Sequence, residues 1–255
     1  MTVQVYAQAR TDASTQASGR TAAVSGELSR ANPKRRHPVD TVTIGVLGGT
    51  FDPIHCGHLR LAIEVRDQLG LTQVNLLPAP NPRLRDAPQV DASVRLTMLR
   101  LAVEGVEGLV ADPRELSRSG ETRTVDTIEE LCAEHPERTP VLILGADAFS
   151  RFEQWVRYER ILELAGIAVA RRPGATISVS PALRGRCIDV EDGQSSSTRC
   201  RAAPGVGQIA VCDIPALDIS ATAIRQMRAS GRSIRFLVPD SVHEFLVNEG
   251  LYLHA

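Results

Sequence analysis

From Thr41 onward, short apolar segments alternate with longer amphipathic ones, and this alternation most constrains the fold. Val42-Thr43-Ile44-Gly45-Val46-Leu47 is β-branched, apolar at nearly every position, and closed by Gly48-Gly49. A strand apolar on both faces must be covered on both, as the strands of parallel sheets are. Comparable runs stand at 74–77 (ended by Pro78), 141–144, 167–170 (ended by Arg171-Arg172-Pro173) and 209–212. Between them, apolar residues recur at helical spacing over 59–69 (with Gly70 as a stop), 94–103, 125–134 and 158–164, and short helices are expected over 221–227 and 241–248. The repeated β-α order predicts an α/β fold, a Rossmann-like, doubly wound, mostly parallel sheet in a single domain spanning residues 40–255. Ligands in such sheets bind beyond the carboxyl ends of the strands. That rule gathers residues 48–58, 78–85, 145–155 and 171–173 around one crevice.

Two stretches fall outside this pattern. Residues 1–39 are rich in Ala, Ser, Thr, Gln and Arg and poor in Leu, Ile and Phe, too little apolar surface to offset the entropy of ordering; they read as a disordered tail. Residues 174–207 are polar and rich in Gly, Ser and Arg, and read as a surface loop or insertion. The formal net charge of -1 provides no global field for a polyanion, so no nucleic-acid partner is expected. Five cysteines without a Cys-x-x-Cys pair read as reduced thiols of a cytoplasmic protein. No apolar run reaches the length of a membrane span, and none at the start resembles a secretory signal.

The first strand-to-helix turn carries the chemistry. Gly48-Gly49 after a buried strand lets the backbone come close to a ligand, and amides opening a helix near Gly57 favour anions. Neither Gly-x-Gly-x-x-Gly nor a Gly-Lys-Ser/Thr loop is present, which disfavours a Rossmann oxidoreductase and a P-loop enzyme. His55 and His58 stand three apart across Gly57. Two imidazoles there could bind phosphate oxygens as pyrophosphate leaves; alone, the pair would more readily be packing or capping residues.

Gly48-Gly49-Thr50-Phe51-Asp52-Pro53-Ile54-His55-Cys56-Gly57-His58-Leu59 resembles the signature of bacterial nicotinate-nucleotide adenylyltransferases, within the nucleotidylyltransferase superfamily that shares His-x-Gly-His. Leu144-Gly145-Ala146-Asp147-Ala148 with Trp155, Ala170-Arg171-Arg172-Pro173-Gly174, Ile219-Ser220-Ala221-Thr222-Ala223-Ile224-Arg225, and the ending from Ser233 to Tyr252 follow in that family's order. The resemblance covers roughly residues 42–253. It implies transfer of AMP from ATP to nicotinate mononucleotide, giving deamido-NAD and pyrophosphate in NAD biosynthesis. His55, His58 and Arg225 would be catalytic. Gly48, Gly49, Thr50, Phe51, Gly57, Gly145, Ser220, Thr222 and Arg225 would hold ATP. Asp52, Arg123, Thr124, Asp147, Trp155 and Arg172 would hold the mononucleotide. Mg²⁺ would ride on substrate phosphates rather than on protein ligands. ATP and the mononucleotide are the expected partners, with no membrane, and a homo-oligomer is compatible with the sequence.

Alternatives stay open at several of these residues. Ser220 and Asp147 could be helix caps, Trp155 could fill the core, and Arg123 could be one more surface charge. Ala221 stands where the family usually has a serine. The segment Asn81-Pro82-Arg83-Leu84-Arg85 lacks the family's lysine, so Arg83 or Arg85 would substitute. Arg123 replaces a tyrosine; it could pair with a nicotinate carboxylate, which nicotinamide does not offer. The same chemistry on nicotinamide mononucleotide or another phosphorylated acceptor is the second reading. A weakened, nucleotide-binding regulator is the third.

Overall fold

The computed structural model describes residues 43–80, 87–118, 120–188, 202–215 and 217–254. The expected tail, residues 1–39, lies outside them, as do Arg83 and Arg85 and the middle of the 174–207 segment. Six strands and eight α-helices follow in chain order: β1 Thr43–Gly49, α1 Cys56–Leu69, β2 Gln73–Pro78, α2 Ala92–Val103, β3 Leu109–Ala111, α3 Thr124–Glu134, β4 Thr139–Gly145, α4 Ala146–Phe149, α5 Tyr158–Leu164, β5 Gly166–Arg171, α6 Pro181–Arg184, β6 Ile209–Asp213, α7 Ala221–Ala229 and α8 Asp240–Asn248.

The sheet order is β3-β2-β1-β4-β5-β6, and each of these neighbouring pairs is parallel. This is the doubly wound order expected from the β-α alternation. The chain leaves β1 toward one edge and returns at β4 to build the other, so direction switches between β1 and β4. The apolar character of the strands has its cause in two cores. Ile143, Val74, Ala168 and Ala210 pack with residues of α1, α2, α7 and α8 on one face. Val46, Leu142, Leu144, Ile167 and Val169 pack with α3 and α5 on the other. Gly45 is in β1 because of crowding: a Cβ there would lie 2.9 Å from both Ile143 and Val74 side chains.

Three elements, β3, α4 and α6, were not visible in the sequence pattern. β3 is a three-residue edge strand, too short to display a period. Helix α1 begins at Cys56, one residue before the opening expected near Gly57, with His55 at its N-cap and no side-chain cap. Its first amide is satisfied from far away, since Cys56 N–H donates to the Leu237 carbonyl at 2.9 Å. Residues 174–188 carry the short helix α6, whose Leu183 is buried, and Cys187 bridges to Ile209. Among the described residues, no helix is long and apolar enough to cross a membrane.

Candidate active site

At the end of β1 the chain turns through Gly48 to His58. A Cβ on Gly49 would stand 2.8 Å from the Phe51 ring, so only glycine lets that ring tuck underneath. Phe51 is buried with φ of 51°, a left-handed conformation uncommon for a bulky residue, held by the surrounding packing. Its ring meets His58 edge-on, with centroids 5.1 Å apart. A Cβ on Gly57 would come within 3.0 Å of His55 Nδ1. The absence of that carbon lets the His55 imidazole fold back, stacked on His58 at 3.7 Å and 23°. The spacing His-x-Gly-His thus places two imidazoles face to face where α1 begins.

His55 is 3% exposed, and its Nδ1 has no hydrogen-bond partner among the described residues. Burial, then the nearby Arg172 guanidinium, lowers its pKa from 6.5 to about 4; a backbone hydrogen bond offsets this in part. At neutral pH it is an uncharged imidazole, one nitrogen donating and the other accepting.

Beneath the turn lies a network of charge and hydrogen bonds. Asp52 is buried; its Oδ1 accepts from the Tyr252 hydroxyl at 2.6 Å and its Oδ2 from Gln89 N–H at 2.9 Å. Arg225 of α7 donates through Nη1 to the Asp52 carbonyl at 2.7 Å, while its buried Nε has no partner among the described residues. Arg95 of α2, 1% exposed, donates to the carbonyls of Thr50 at 2.6 Å, Pro80 at 3.1 Å and Val90 at 3.3 Å. It thereby ties the β1 turn to the segment after β2. The turn at Ile219 and Ser220 reaches the same place, with the Ile219 carbonyl 3.6 Å from where a Gly57 Cβ would sit. Ser220 Oγ caps α7 by accepting from Ala223 N–H at 3.2 Å. Thr222 is exposed in the first turn of α7.

The remaining residues named from sequence lie near the carboxyl ends of the strands or at the starts of helices that follow them. Gly145 ends β4 and, like Gly48, has open space where a Cβ would stand. Asp147 is exposed in α4. Trp155 is half-buried against Phe152, ring centroids 5.7 Å apart, with its Nε1 buried and lacking a hydrogen-bond partner. Arg172 follows β5, exposed, and its charge reaches His55. Arg171 is committed elsewhere, donating to Asp213 from Nε at 2.6 Å and Nη2 at 2.9 Å. Arg123 is the N-cap residue of α3, its exposed side chain donating to Glu121 at 2.8 Å, with half-buried Thr124 next to it.

Three contributors escaped sequence reading: Arg95, Gln89 and Tyr252. Arg95 could have been suspected, since it shares a helical face with Met98, Leu99 and Ala102, and a charge on a buried stripe needs partners. Gln89 acts through its backbone and carries no signal. Tyr252 belongs to the closing block but gives no hint that it reaches residue 52.

A family model described as cytidylyltransferase-like matches residues 46–227. A relative from Pseudomonas putida (strain W619), named "Probable nicotinate-nucleotide adenylyltransferase", is 42% identical over 226 residues, 88% of this chain and 98% of that protein. A relative of the same name from Pseudomonas syringae pv. tomato (strain ATCC BAA-871 / DC3000) is 44% identical over 214 residues, 82% of this chain and 93% of its own. Among solved structures, the Plasmodium falciparum nicotinic acid mononucleotide adenylyltransferase complexed with NaAD is similar in fold. Its TM-score is 0.63 at 15% identity, over 84% of this chain and 98% of that one.

Proposed function

The chain belongs to the cytidylyltransferase-like family and, within it, to the nicotinate-nucleotide adenylyltransferases, and from that membership we propose that its crevice joins nicotinate mononucleotide to the AMP unit of ATP. The observation that carries this is the stacked pair His55 and His58 at the β1 to α1 turn, with His55 neutral and its buried Nδ1 unpaired among the described residues. The mononucleotide phosphate attacks the α-phosphorus of ATP in line. A new P–O bond forms to the attacking oxygen, the bond to pyrophosphate breaks, and the electron pair leaves with pyrophosphate. The attacker is an anion at neutral pH, so the protein aligns and neutralises charge rather than removing a proton.

His55 and His58 orient phosphate oxygens and stabilise charge on the leaving group. A neutral imidazole donates one hydrogen bond without holding product as an ion pair would. Arg225, with its buried Nε lacking a protein partner, holds the triphosphate together with Ser220 and Thr222. Gly48, Gly49, Thr50, Phe51, Gly57 and Gly145 shape the ATP side. Asp147, Trp155, Arg172, Arg123 and Thr124 form the mononucleotide side. The residues present suit a divalent cation carried on ATP, since both carboxylate oxygens of Asp52 accept from protein donors. Mg²⁺ so carried supplies neutralisation of the triphosphate's negative charge.

The acid rather than the amide is the proposed acceptor, because Arg123 can exchange Glu121 for a nicotinate carboxylate. The full-length protein is incubated with ATP, Mg²⁺ and either mononucleotide, and dinucleotide and pyrophosphate are followed. Product with the acid at much higher kcat/KM supports the reading. No product with either acceptor refutes the enzyme, and preference for the amide refutes the assignment of Arg123.

A further inference from the structure

We infer that Tyr252 is a positioning residue for this reaction: through Asp52, its hydroxyl keeps the Arg225 guanidinium free to grip the triphosphate. The inference rests on the phosphate-binding role proposed for Arg225.

The geometry at Asp52 is unusual for a carboxylate beside an arginine. Asp52 Oδ2 lies 3.7 Å from Arg225 Nη1, beyond hydrogen-bond distance, although that nitrogen donates to the backbone carbonyl of the same residue at 2.7 Å. Left alone, a carboxylate this near would take the guanidinium in a direct, charge-assisted pair. Other donors hold it back: Tyr252 hydroxyl on Oδ1 at 2.6 Å, Gln89 N–H on Oδ2 at 2.9 Å. Arg225 is therefore anchored by one nitrogen, and its Nε stays buried without an acceptor. A buried donor in that state is matched by a ligand oxygen.

Tyr252 is well built for such a role. It is 6% exposed, and its backbone sits at φ 59°, a left-handed conformation that only surrounding contacts sustain in a residue with a side chain. Burial and the bond to Asp52 hold its phenol well above the ordinary tyrosine range, so it donates at every working pH. The last turn of the chain thus reaches back 200 residues to the first catalytic loop.

Tyr252→Phe keeps the ring and removes the donor. Oδ1 is then released to draw Arg225 onto Asp52. Calorimetric titration of the full-length protein with MgATP should find affinity lowered by about tenfold, the scale of one hydrogen bond to a charged group. Arg225→Ala should lower it at least as much, and the double variant no further than Arg225→Ala alone, because the two act through one contact. In an Asp52→Asn background, where no carboxylate can capture the arginine, Tyr252→Phe should change ATP affinity less than twofold. Unchanged affinity in Tyr252→Phe overturns the inference. So do losses that multiply in the double variant, or equal losses with Asp52 and with Asn. Wild-type protein that binds ATP and obeys the cycle but adenylylates neither mononucleotide retains the relay and refutes the proposed reaction. Wild-type protein that does not bind ATP overturns both.

Discussion

His55 gives the fold a pH dependence whose size follows from its environment. In the unfolded chain its imidazole takes a proton near 6.5; in the crevice burial and the Arg172 charge postpone that to about 4. The folded pKa is the lower, so the folded state resists protonation. The stability contributed is fully present above pH 6.5 and is lost as pH falls toward 4. Across the whole interval the difference is worth about 3 kcal/mol. At pH 5.5 the unfolded chain is mostly protonated here and the folded protein is not, a loss of about 1.4 kcal/mol relative to pH 7.5 and above. For a domain of this size that corresponds to roughly 3 to 6 °C in Tm. Other groups titrate in the same range, so the measurement is a comparison with His55→Asn, neutral at every pH. Urea unfolding of both proteins at pH 7.5 and pH 5.5 should find wild type losing about 1.4 kcal/mol more than the variant. Curves that fall in parallel would refute the claim that His55 is held neutral by burial.

Other perturbations separate catalysis from architecture. His58→Ala should lower kcat by about a hundredfold or more, the cost of removing a preorganised donor, while leaving the unfolding midpoint within a few degrees; near-normal turnover would deny it the assigned role. Arg95→Met keeps bulk but leaves the carbonyls of Thr50, Pro80 and Val90 without their donor. It should cost about 3 kcal/mol, or roughly 10 °C in Tm, and reduce kcat/KM because the β1 turn loses its tie. Gly49→Ala puts a Cβ 2.8 Å from a Phe51 ring that is 2% exposed and has nowhere to move. It should cost about 1–3 kcal/mol in urea unfolding, and a neutral result would mean that the turn is softer than its packing suggests.

The fold was legible where its cause is local. Strands β1, β2, β4, β5 and β6 announce themselves because each contributes buried residues to one or both of the cores on the two faces and is therefore mostly apolar. Their number and alternation with helices imply a parallel, doubly wound sheet before any contact is known. β3 escaped because three residues at an edge need little apolar character. The start of α1 was legible near Gly57, but the bond from its first amide to Leu237, 181 positions further along, was not. Sequence periodicity reports what an element packs against, not the distant atom that ends it.

The site divides along the same line. His55, His58, Gly49 and Gly57 could be singled out together because their geometry is set within ten residues: one glycine admits the Phe51 ring, the other admits His55. Asp52, which the family resemblance assigns to the mononucleotide, has its oxygens engaged by a backbone amide 37 residues away and a hydroxyl 200 residues away. Those partners change what the residue contributes. An acid open to solvent could contact the mononucleotide directly, whereas one fixed between Tyr252 and Gln89 would, on the inference drawn above, set how Arg225 is held. The motif brings the imidazoles and glycines together within ten residues, and the long-range bonds of Asp52 and Arg95 tie that turn to segments far along the chain, which is the support a proposed site on it would need.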